Sequence, residues 1–448
     1  MASLDLGLWM FFYHVLVMCA VVCTSQSKPS NSTSVDYERL AEAVNTANST
    51  WVADPDILKS SPSFLSSLKF GLSLTPQSQE PNPDLQLGSE HFGDYQSNTE
   101  LPEEFDLRKQ YPNCTNIGHV QLQSNCGSCW AIATTAALSD RMCIATQGRL
   151  DHTLSSDHLL TCCAACTGGD VCEGGNPMRA WYYMLENGVP TGGDYGSCQG
   201  CKPYRIPPCS YPGYPPCADL TKPSIPLKCT GEQCSNPYFR TPYDDNLFFV
   251  DFAFTLNVHR RKGMNSTTWA QLQGNLMQLE IFHFGSIVAA IEAHQDLIIY
   301  KKGVYQHTVG EMSGGHAVKI IGWGVEDGVK YWLCVNSWGE LWGDGGLFKI
   351  RRGTDESRIE SFQVSAGRVD RDRSSDLEEF EYDTDTTIES SSDVPTQFST
   401  PIPDAHSSSP IPTTECTSDF PVESSSVRPN GLSAVVCLTI LGLVYSIC

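Results

Sequence analysis

The stretch Gln123-Ser124-Asn125-Cys126-Gly127-Ser128-Cys129-Trp130 places an amide side chain six residues before a cysteine. The residues that follow are rich in alanine and contain no glycine or proline, which predicts a helix beginning near Cys129. A cysteine at a helix N-terminus is favoured as the thiolate, because unpaired backbone N–H groups and the helix dipole stabilise negative charge. Cys129 is therefore predicted to be a covalent nucleophile.

Two later motifs supply the groups that a nucleophilic thiol needs. His316 follows two glycines and precedes an apolar, strand-like run, and Asn336 stands in the motif Asn336-Ser337-Trp338. A thiol needs a base that takes its proton, and that base must be held in a reactive orientation. Taken singly, His316 is compatible with a core histidine and Trp338 with a core tryptophan. The order cysteine, histidine, asparagine at wide spacing is instead that of the papain-like arrangement.

These three motifs together resemble the papain family of cysteine peptidases (C1), and the chain from 101 to 368 resembles its cathepsin B-like branch. The resemblance implies an α+β, papain-like two-domain fold, with a helical left domain, a β-barrel right domain and an active-site cleft between them. Strand-like patterns support this division at 247–254, 286–291, 316–323, 330–335 and 346–350, as does a helical pattern at 268–282. The residues 257–267 between two of these elements are predicted to be a surface loop.

The same resemblance assigns a role to each motif residue. Cys129 is the expected nucleophile, His316 the base, and Asn336 the group that orients the imidazole. Gln123 and the Cys129 N–H are expected to form the oxyanion hole, where each donor contributes roughly 3 kcal/mol to catalysis. Trp338 is expected to shield the contact between His316 and Asn336 from water. No cofactor or metal is expected.

Composition bounds the compartment and the partners. The formal net charge of −22 over 448 residues argues against nucleic acid as a partner, because phosphate binding requires a basic surface. Twenty cysteines and an apolar start indicate the oxidising secretory route. Four sequons, at Asn31, Asn48, Asn113 and Asn265, are consistent with glycosylation in that route.

Five segments are predicted along the chain: a signal peptide at 1–25, a propeptide at 26–100, the peptidase domain at 101–368, an acidic and then Ser/Thr/Pro-rich stalk at 369–431, and a hydrophobic tail at 432–448. The propeptide contains an amphipathic stretch from Tyr37 to Asn45, and the resemblance implies that it blocks the cleft. The alternative for this segment is a flexible leader with one incidental helix.

The apolar tail is short and lacks flanking basic residues, which favours a GPI-anchor signal over a short transmembrane helix. The expected location is thus extracellular or at the cell surface, tethered to the membrane, with the lysosome as the alternative. Expected partners are protein or peptide substrates, the chain's own propeptide and cystatin-like inhibitors.

Disulfides are expected because the region from 161 to 234 is dense in cysteine, glycine and proline. The resemblance implies six pairs: Cys114 with Cys143, Cys126 with Cys172, Cys162 with Cys229, Cys163 with Cys166, Cys201 with Cys234, and Cys209 with Cys217. Cys198 and Cys334 have no counterpart among them. They either pair with each other or remain thiols, and the apolar strand around Cys334 favours a buried thiol there.

The chain departs from the cathepsin B pattern at its primed side. The loop from Cys209 to Cys217 contains no histidine, whereas the family's exopeptidases use two loop histidines to hold the substrate's C-terminal carboxylate. The charged residues that pin that loop are replaced by Leu122, Tyr214 and Leu341. These changes predict an endopeptidase with little carboxydipeptidase activity, in which Tyr211 or Tyr214 docks on Leu122 or Leu341 by apolar contact.

The substrate-binding side also differs. Phe362 stands where cathepsin B has a glutamate at the base of the S2 pocket, which predicts apolar P2 residues over arginine. Gly174 and Gly175 match glycines that let a substrate backbone approach, although Glu173 before them stands where asparagine is usual. The competing interpretations are a catalytically inactive papain-like binding protein and a lysosomal exopeptidase.

Overall fold

The structure is a computed structural model that describes residues 35–47, 49–72, 100–219, 228–260 and 262–369. These residues all fall within one unit, Met1–Thr396. The predicted signal peptide, stalk and hydrophobic tail, and the sequons at Asn31 and Asn48, lie outside the described residues. Within the described ranges, no helix is long and apolar enough to cross a membrane.

Helices dominate the first half of the peptidase region and strands the second half. The helices of the described residues are α1 (Tyr37–Thr46), α2 (Asp56–Ser60), α3 (Phe64–Ser67), α4 (Leu107–Gln110), α5 (Cys129–Ala145), α6 (Ser156–Cys162), α7 (Pro177–Asn187) and α8 (Ser266–Phe284). The strands are β1 (Trp51–Ala53), β2 (Phe105–Asp106), β3 (Val189–Pro190), β4 (Leu247–Phe248), β5 (Phe252–Thr255), β6 (Ile287–His294), β7 (Tyr300–Tyr305), β8 (Met312–Glu326), β9 (Val329–Val335), β10 (Leu347–Arg351) and β11 (Val364–Arg368).

Helix α5 is the centre of the helical half, and it begins at Cys129 as predicted. Nearly all of its residues are buried, which its alanine-rich sequence permits because small side chains let neighbouring elements approach on every face. Helix α7 packs beside it and is capped by Asn176, whose Oδ1 accepts hydrogen bonds from the next two helical N–H groups. Pro177 occupies the first turn of α7, where its missing N–H removes no helical hydrogen bond.

The strand-rich half is built on one nine-stranded sheet with the order β1-β7-β10-β9-β8-β6-β11-β5, and β2 pairs with β8. The pairings of the described strands form an open sequence and do not close into a barrel. The pattern at 247–254 predicts one strand, but the structure has two. β4 pairs with β3 in a separate ribbon and β5 pairs with β11 in the large sheet, so the chain breaks between them.

Buried ion pairs join α5 to the strand-rich half. Arg141 Nη1 lies 2.8 Å from Glu280 Oε1 of α8, and Arg368 Nη2 of β11 lies 3.1 Å from Glu280 Oε2. Lys319 of β8 pairs with Asp140 of α5 at 2.8 Å. Breaking such a pair on one side leaves an uncompensated buried charge, which typically costs about 3–5 kcal/mol. These contacts therefore fix the position of α5, and with it Cys129, relative to β8.

All six disulfides that the resemblance implies are present. Cys334 is a buried free thiol on β9, as predicted. Both alternatives for Cys198 are wrong: it is disulfide-bonded, and Cys334 is not its partner. Because Cys198 lies outside the six pairs that the resemblance implies, the sequence does not indicate which cysteine it bonds.

The leader segment, defined here as residues 35–47 and 49–72, docks on the sheet before it reaches the cleft. Strand β1 adds to the edge of β7 with Trp51 opposite Gly303. Trp51 is buried, and its indole N–H donates to the Gln306 carbonyl at 2.9 Å. The amphipathic stretch forms α1, as the pattern predicts, and buries Ala41 and Val44. From β1 the leader continues through α2 and α3 to Leu72.

Candidate active site

Cys129 is the first residue of α5 and is fully buried. No side-chain cap from Ser128 covers the start of this helix, because the Ser128 hydroxyl instead contacts the Tyr204 hydroxyl at 2.6 Å. Strand β8 approaches from the other half, and the Ala317 N–H donates to Cys129 Sγ at 3.4 Å. The thiol thus lies at the contact between the N-terminus of α5 and the middle of β8.

The protonation of this thiol differs from the expectation for a helix N-terminus. Burial raises the pKa of Cys129 to about 11, although hydrogen bonds from the backbone of Ala317, Gly71 and Trp130 act in the opposite direction. Desolvation disfavours a charged group, and here it outweighs the backbone donors. Burial of the sulfur thus works against formation of the thiolate in the described form.

His316 lies in the middle of β8 and forms a hydrogen bond with Asn336, which follows the end of β9. Its Nε2 is 2.7 Å from Asn336 Oδ1, and the Ser337 N–H also donates to that oxygen at 2.8 Å. A backbone N–H can only donate, so the oxygen of the amide faces both groups and His316 Nε2 must carry the proton of the neutral ring. His316 Nδ1 is then the basic atom, and it has no hydrogen-bond partner among the described residues.

Burial also controls the imidazole. It lowers the pKa of His316 to about 4, and the hydrogen bond that His316 Nε2 donates to Asn336 partly opposes this effect. Trp338 is buried beside the ring, with centroids 4.7 Å apart and planes inclined at 32°. The indole thus lies against the imidazole ring, and its predicted role in shielding the contact between His316 and Asn336 stays a prediction.

Gln123 lies on the same side of the site as Cys129 and is held by three contacts. Its backbone N–H donates to the Ser337 carbonyl at 2.9 Å, and its Oε1 accepts from the Ser337 hydroxyl at 2.7 Å. Its carbonyl accepts from the Tyr204 hydroxyl at 2.9 Å. The amide nitrogen therefore points away from Ser337, where it donates to the carbonyls of Cys126 and Lys69 at 2.8 Å each.

The leader segment crosses the site as an extended backbone. The Gly71 carbonyl accepts from the Gly175 N–H at 2.9 Å, and the Leu72 N–H donates to the Gly315 carbonyl at 3.1 Å. A Cβ placed on Gly71 would be 2.6 Å from Cys129 Sγ, so only glycine fits against the sulfur there. Four leader residues, Lys69 to Leu72, thus lie over the nucleophile and contact both the helical half and the strand-rich half.

The predicted glycines lie where the leader backbone is closest. Gly174 has a φ of +111°, and a Cβ on it would be 2.8 Å from the Gly71 carbonyl oxygen. A Cβ on Gly175 would collide with the ring of Trp130. Both positions therefore require glycine, for different reasons. Without side chains there, the backbone of these two residues can pair with an extended peptide.

Phe362 borders an apolar cluster that includes Leu72, Cys129, Ala290 and Ala317. The ring is partly buried, and the Arg358 guanidinium lies over it, 4.9 Å from its centroid. Arg358 in turn pairs with Glu292 at 3.0 Å. The leader's leucine is thus buried in the same cluster against which Phe362 packs, and the ion pair between Arg358 and Glu292 lies beside the Phe362 ring.

The loop from Cys209 to Cys217 meets the strand-rich half through Tyr211. The Tyr211 hydroxyl accepts a hydrogen bond from the Leu341 N–H, and its ring lies against the backbone of Gly339. The leucine side chain is 54% exposed and Tyr214 is 50% exposed. The contact of Tyr211 with Leu341 is thus made through the backbone N–H, while Leu122 is partly buried against the same apolar cluster as Tyr211.

The structure also reveals site residues that the sequence interpretation missed. Ser337 anchors Gln123 and fixes the Asn336 amide, Ala317 donates to the thiol, and Gly315 pairs with the cleft-bound backbone. Ser337 and Ala317 each adjoin a predicted residue, so their place in the motifs was the available signal. Among the described residues, no group of three or more His, Cys, Asp or Glu side chains is placed to hold a metal.

The model of the papain family of cysteine proteases matches residues 101–366, which is more than half of the chain. The chain therefore belongs to this family.

Its relatives include cathepsin B-like cysteine proteinases of Caenorhabditis elegans. Number 6 is 41% identical over 266 residues, which are 58% of this chain and 65% of that protein, so the chain spans just under two thirds of it. Number 4 is 36% identical over 352 residues, which are 77% of this chain and 96% of that protein. The predicted resemblance to the cathepsin B-like branch is confirmed.

Two solved zymogen structures share the fold. Procathepsin B S9 from Trypanosoma congolense has a TM-score of 0.54 at 29% identity, covering 74% of this chain and 96% of that one. A digestive procathepsin L2 from the midgut of Tenebrio molitor larvae has a TM-score of 0.51 at 21% identity, covering 74% and 89%. These likenesses confirm the predicted α+β, papain-like fold.

Proposed function

We propose that the chain is a cysteine endopeptidase, made as a zymogen, that hydrolyses peptide bonds through a thioester intermediate. The observation that carries this proposal is the extended backbone of Lys69 to Leu72, which contacts Cys129, Gln123 and the glycines as a peptide substrate would. Peptide backbones bind in this way when a strand is added to an exposed edge. Family membership and the zymogen neighbours support the same reaction class.

In the proposed mechanism, His316 Nδ1 takes the proton of Cys129, and the thiolate attacks the scissile carbonyl carbon. Asn336 holds the protonated ring by accepting from Nε2. The carbonyl oxygen becomes negative and is stabilised by Gln123 Nε2 and the Cys129 N–H. His316 then gives its proton to the leaving amine as the C–N bond breaks, and water hydrolyses the thioester with His316 as base. Trp338 keeps water away from the imidazole.

The leader segment acts as the proposed inhibitor. The carbonyl that Gln123 contacts belongs to Lys69, whereas the residue against the sulfur is Gly71. No single leader carbonyl is therefore presented to both the nucleophile and the oxyanion donor. This mismatch explains how the leader can occupy the cleft without being cleaved, and its removal would return Cys129 and His316 to solvent.

Endopeptidase action is proposed because the loop from Cys209 to Cys217 offers no cation. It contains no histidine, lysine or arginine, and the hydroxyl of Tyr211 is occupied by the Leu341 N–H. A free C-terminal carboxylate buried there would lose its hydration without a charged partner. An apolar P2 preference is proposed from Leu72, which is buried in the cluster that Phe362 borders.

The proposed location is extracellular or at the cell surface, reached through the secretory route. The six disulfides support an oxidising compartment, and Asn113 and Asn265 are exposed enough to carry glycans. Cystatin-like inhibitors are proposed as partners because they bind open papain-like clefts. The GPI anchor rests on the tail sequence alone, and release of activity from membranes by a phosphatidylinositol-specific phospholipase tests it.

The proposed function is tested with the processed enzyme and a Cys129→Ala control. Hydrolysis of a blocked peptide by the native chain, absent in the control, is the expected result. An epoxide inhibitor should label Cys129 in the native chain. Failure of both measurements would favour the inactive binding protein.

The mode of cleavage is tested with two peptides, one blocked at both ends and one with a free C-terminus two residues beyond the scissile bond. We expect the blocked peptide to be cleaved at least as fast as the free one. A strong preference for the free C-terminus would instead indicate an exopeptidase.

A further inference from the structure

Tyr204 is a buried tyrosine whose hydroxyl lies behind the nucleophile. The hydroxyl donates to the Gln123 carbonyl at 2.9 Å and is 2.6 Å from the Ser128 hydroxyl. A carbonyl can only accept, so the single phenolic proton is used there and the Ser128 hydroxyl must donate to the phenolic oxygen. Burial raises the pKa of Tyr204, which keeps the group a hydroxyl.

These two contacts fall on the residues that carry or adjoin both oxyanion donors. Gln123 supplies the side-chain amide of the proposed oxyanion hole, and Ser128 directly precedes Cys129, whose N–H is the second donor. The hydroxyl of Tyr204 therefore joins the backbone of the first donor to the residue before the second one.

The segment that carries Tyr204 is itself fixed. The Tyr204 N–H donates to the Gly193 carbonyl at 2.9 Å. Further along the same segment, the Pro207 carbonyl accepts from the Ser124 hydroxyl at 2.7 Å. Ser124 has a φ of +56°, a left-handed conformation that a non-glycine residue keeps only when its surroundings hold it there. The segment thus braces the stretch before the nucleophile at two points.

We propose that Tyr204 is a positioning residue whose hydroxyl holds the two donors of the oxyanion hole, Gln123 and the Cys129 N–H, at a fixed separation. This inference rests on the proposed function and adds how its transition state is stabilised. Donors that are already in place stabilise a developing charge without reorganising during the reaction, and a small misplacement of such groups slows it. Loss of the hydroxyl should therefore affect the step that forms the oxyanion and leave substrate binding unchanged.

The test uses the processed enzyme with Tyr204→Phe, which removes only the hydroxyl. We expect kcat and kcat/KM for a blocked peptide to fall together by about 5- to 20-fold, with KM within about twofold of the native value. Alkylation of Cys129 by iodoacetamide forms no oxyanion, so its rate should stay within about twofold of the native rate. A general disturbance of the site would instead slow both reactions.

A second variant, Gln123→Ala, separates positioning from a structural role. It keeps the backbone carbonyl that Tyr204 contacts but removes the side-chain donor. If Tyr204 acts through that donor, adding Tyr204→Phe to Gln123→Ala should lower kcat by less than about threefold more, because effects on one shared group do not add.

Tyr183→Phe is the matched control, because it also removes a hydrogen-bonded phenol, one that lies 3.1 Å from His158 Nε2. It should leave hydrolysis and alkylation at the native rates. Ser128→Ala removes the same link from its other end, and it replaces Tyr204→Phe if that variant does not fold. We expect it to lower kcat about two- to fivefold, with alkylation unchanged.

Three results would overturn the inference while leaving the proposed function intact. These are a native kcat in the variants that fold, an equal fall in hydrolysis and alkylation, and a full additional loss from Tyr204→Phe in the Gln123→Ala background. If the native enzyme hydrolyses no peptide, the proposed function fails and the inference with it.

Discussion

Replacing Gly71 with alanine should open the zymogen. The added Cβ would lie 2.6 Å from Cys129 Sγ and still closer to the Gly127 carbonyl oxygen, whereas ordinary contacts of a Cβ begin near 3.4 Å. Neither neighbour can move away, because the sulfur is on α5 and the carbonyl belongs to the loop before it. The leader must therefore lift from the cleft by about 1 Å.

The cost of this displacement can be worked out from the contacts that it breaks. Lifting the leader lengthens the hydrogen bond from the Gly175 N–H to Gly71 and that from the Leu72 N–H to Gly315, now 2.9 and 3.1 Å. At about 1 kcal/mol each, their loss weakens closure by about 2 kcal/mol. Because 1.4 kcal/mol is a factor of ten, the open fraction of the zymogen should rise about 30-fold.

The assay is the rate at which an epoxide inhibitor labels Cys129 in the unprocessed chain, followed by mass spectrometry of the intact protein. Gly168→Ala is the matched control, since a Cβ there meets no atom within 4 Å. The control should label at the native rate and Gly71→Ala about 30 times faster. Equal rates in all three proteins would refute the reasoning, because the leader would then not be what limits access to the thiol.

Three further predictions concern the site itself. Asn336→Ala should lower kcat/KM by about 10- to 100-fold in peptide hydrolysis, because His316 loses the acceptor that fixes its tautomer; a change within twofold would contradict that role. Phe362→Glu alone should give little gain in the hydrolysis of peptides with arginine at P2, because Arg358 would pair with the new carboxylate. The double variant with Arg358→Ala should raise the ratio of Arg-Arg to Phe-Arg peptide hydrolysis about tenfold. A full gain from the single change would show that Arg358 has no part in the pocket. Iodoacetamide labelling of the unprocessed chain should rise about tenfold per pH unit between pH 7 and 10, because burial raises the pKa of Cys129 to about 11 and only the thiolate reacts. A rate that levels off just above pH 9 would indicate an unshifted thiol.

The catalytic motif residues could be predicted because each motif stands at a recognisable helix start or strand in the sequence. The start of α5 followed from the alanine-rich run after Cys129, and His316 and Asn336 followed from motifs beside apolar strands. The six disulfide pairs were available only through family resemblance, since cysteine spacing does not determine connectivity. Cys198 shows that limit directly, because outside the inferred pairs the sequence left only wrong alternatives.

Properties that depend on a distant contact could not be predicted. Burial raises the pKa of Cys129 and outweighs the backbone hydrogen bonds that lower it, including one from the distant Gly71, whereas the local helix argument predicts a lowered pKa. The hydrogen bond from the Leu341 N–H to the Tyr211 hydroxyl could not be predicted, because backbone donors are invisible in side-chain patterns. The break between β4 and β5 likewise depends on which strands are available to pair, not on the apolar pattern at 247–254.

Some of the departures from the cathepsin B pattern lie near the leader segment as well as on the proposed substrate side. Glu173 pairs with Lys69, Tyr211 packs near Phe64 with ring centroids 6.3 Å apart, and Phe362 borders the cluster that holds Leu72. A substitution that alters substrate preference at one of these positions must therefore also alter how firmly the leader binds. If the proposed specificity is right, latency and specificity depend on the same side chains, and a change in one is expected to be accompanied by a measurable change in the other.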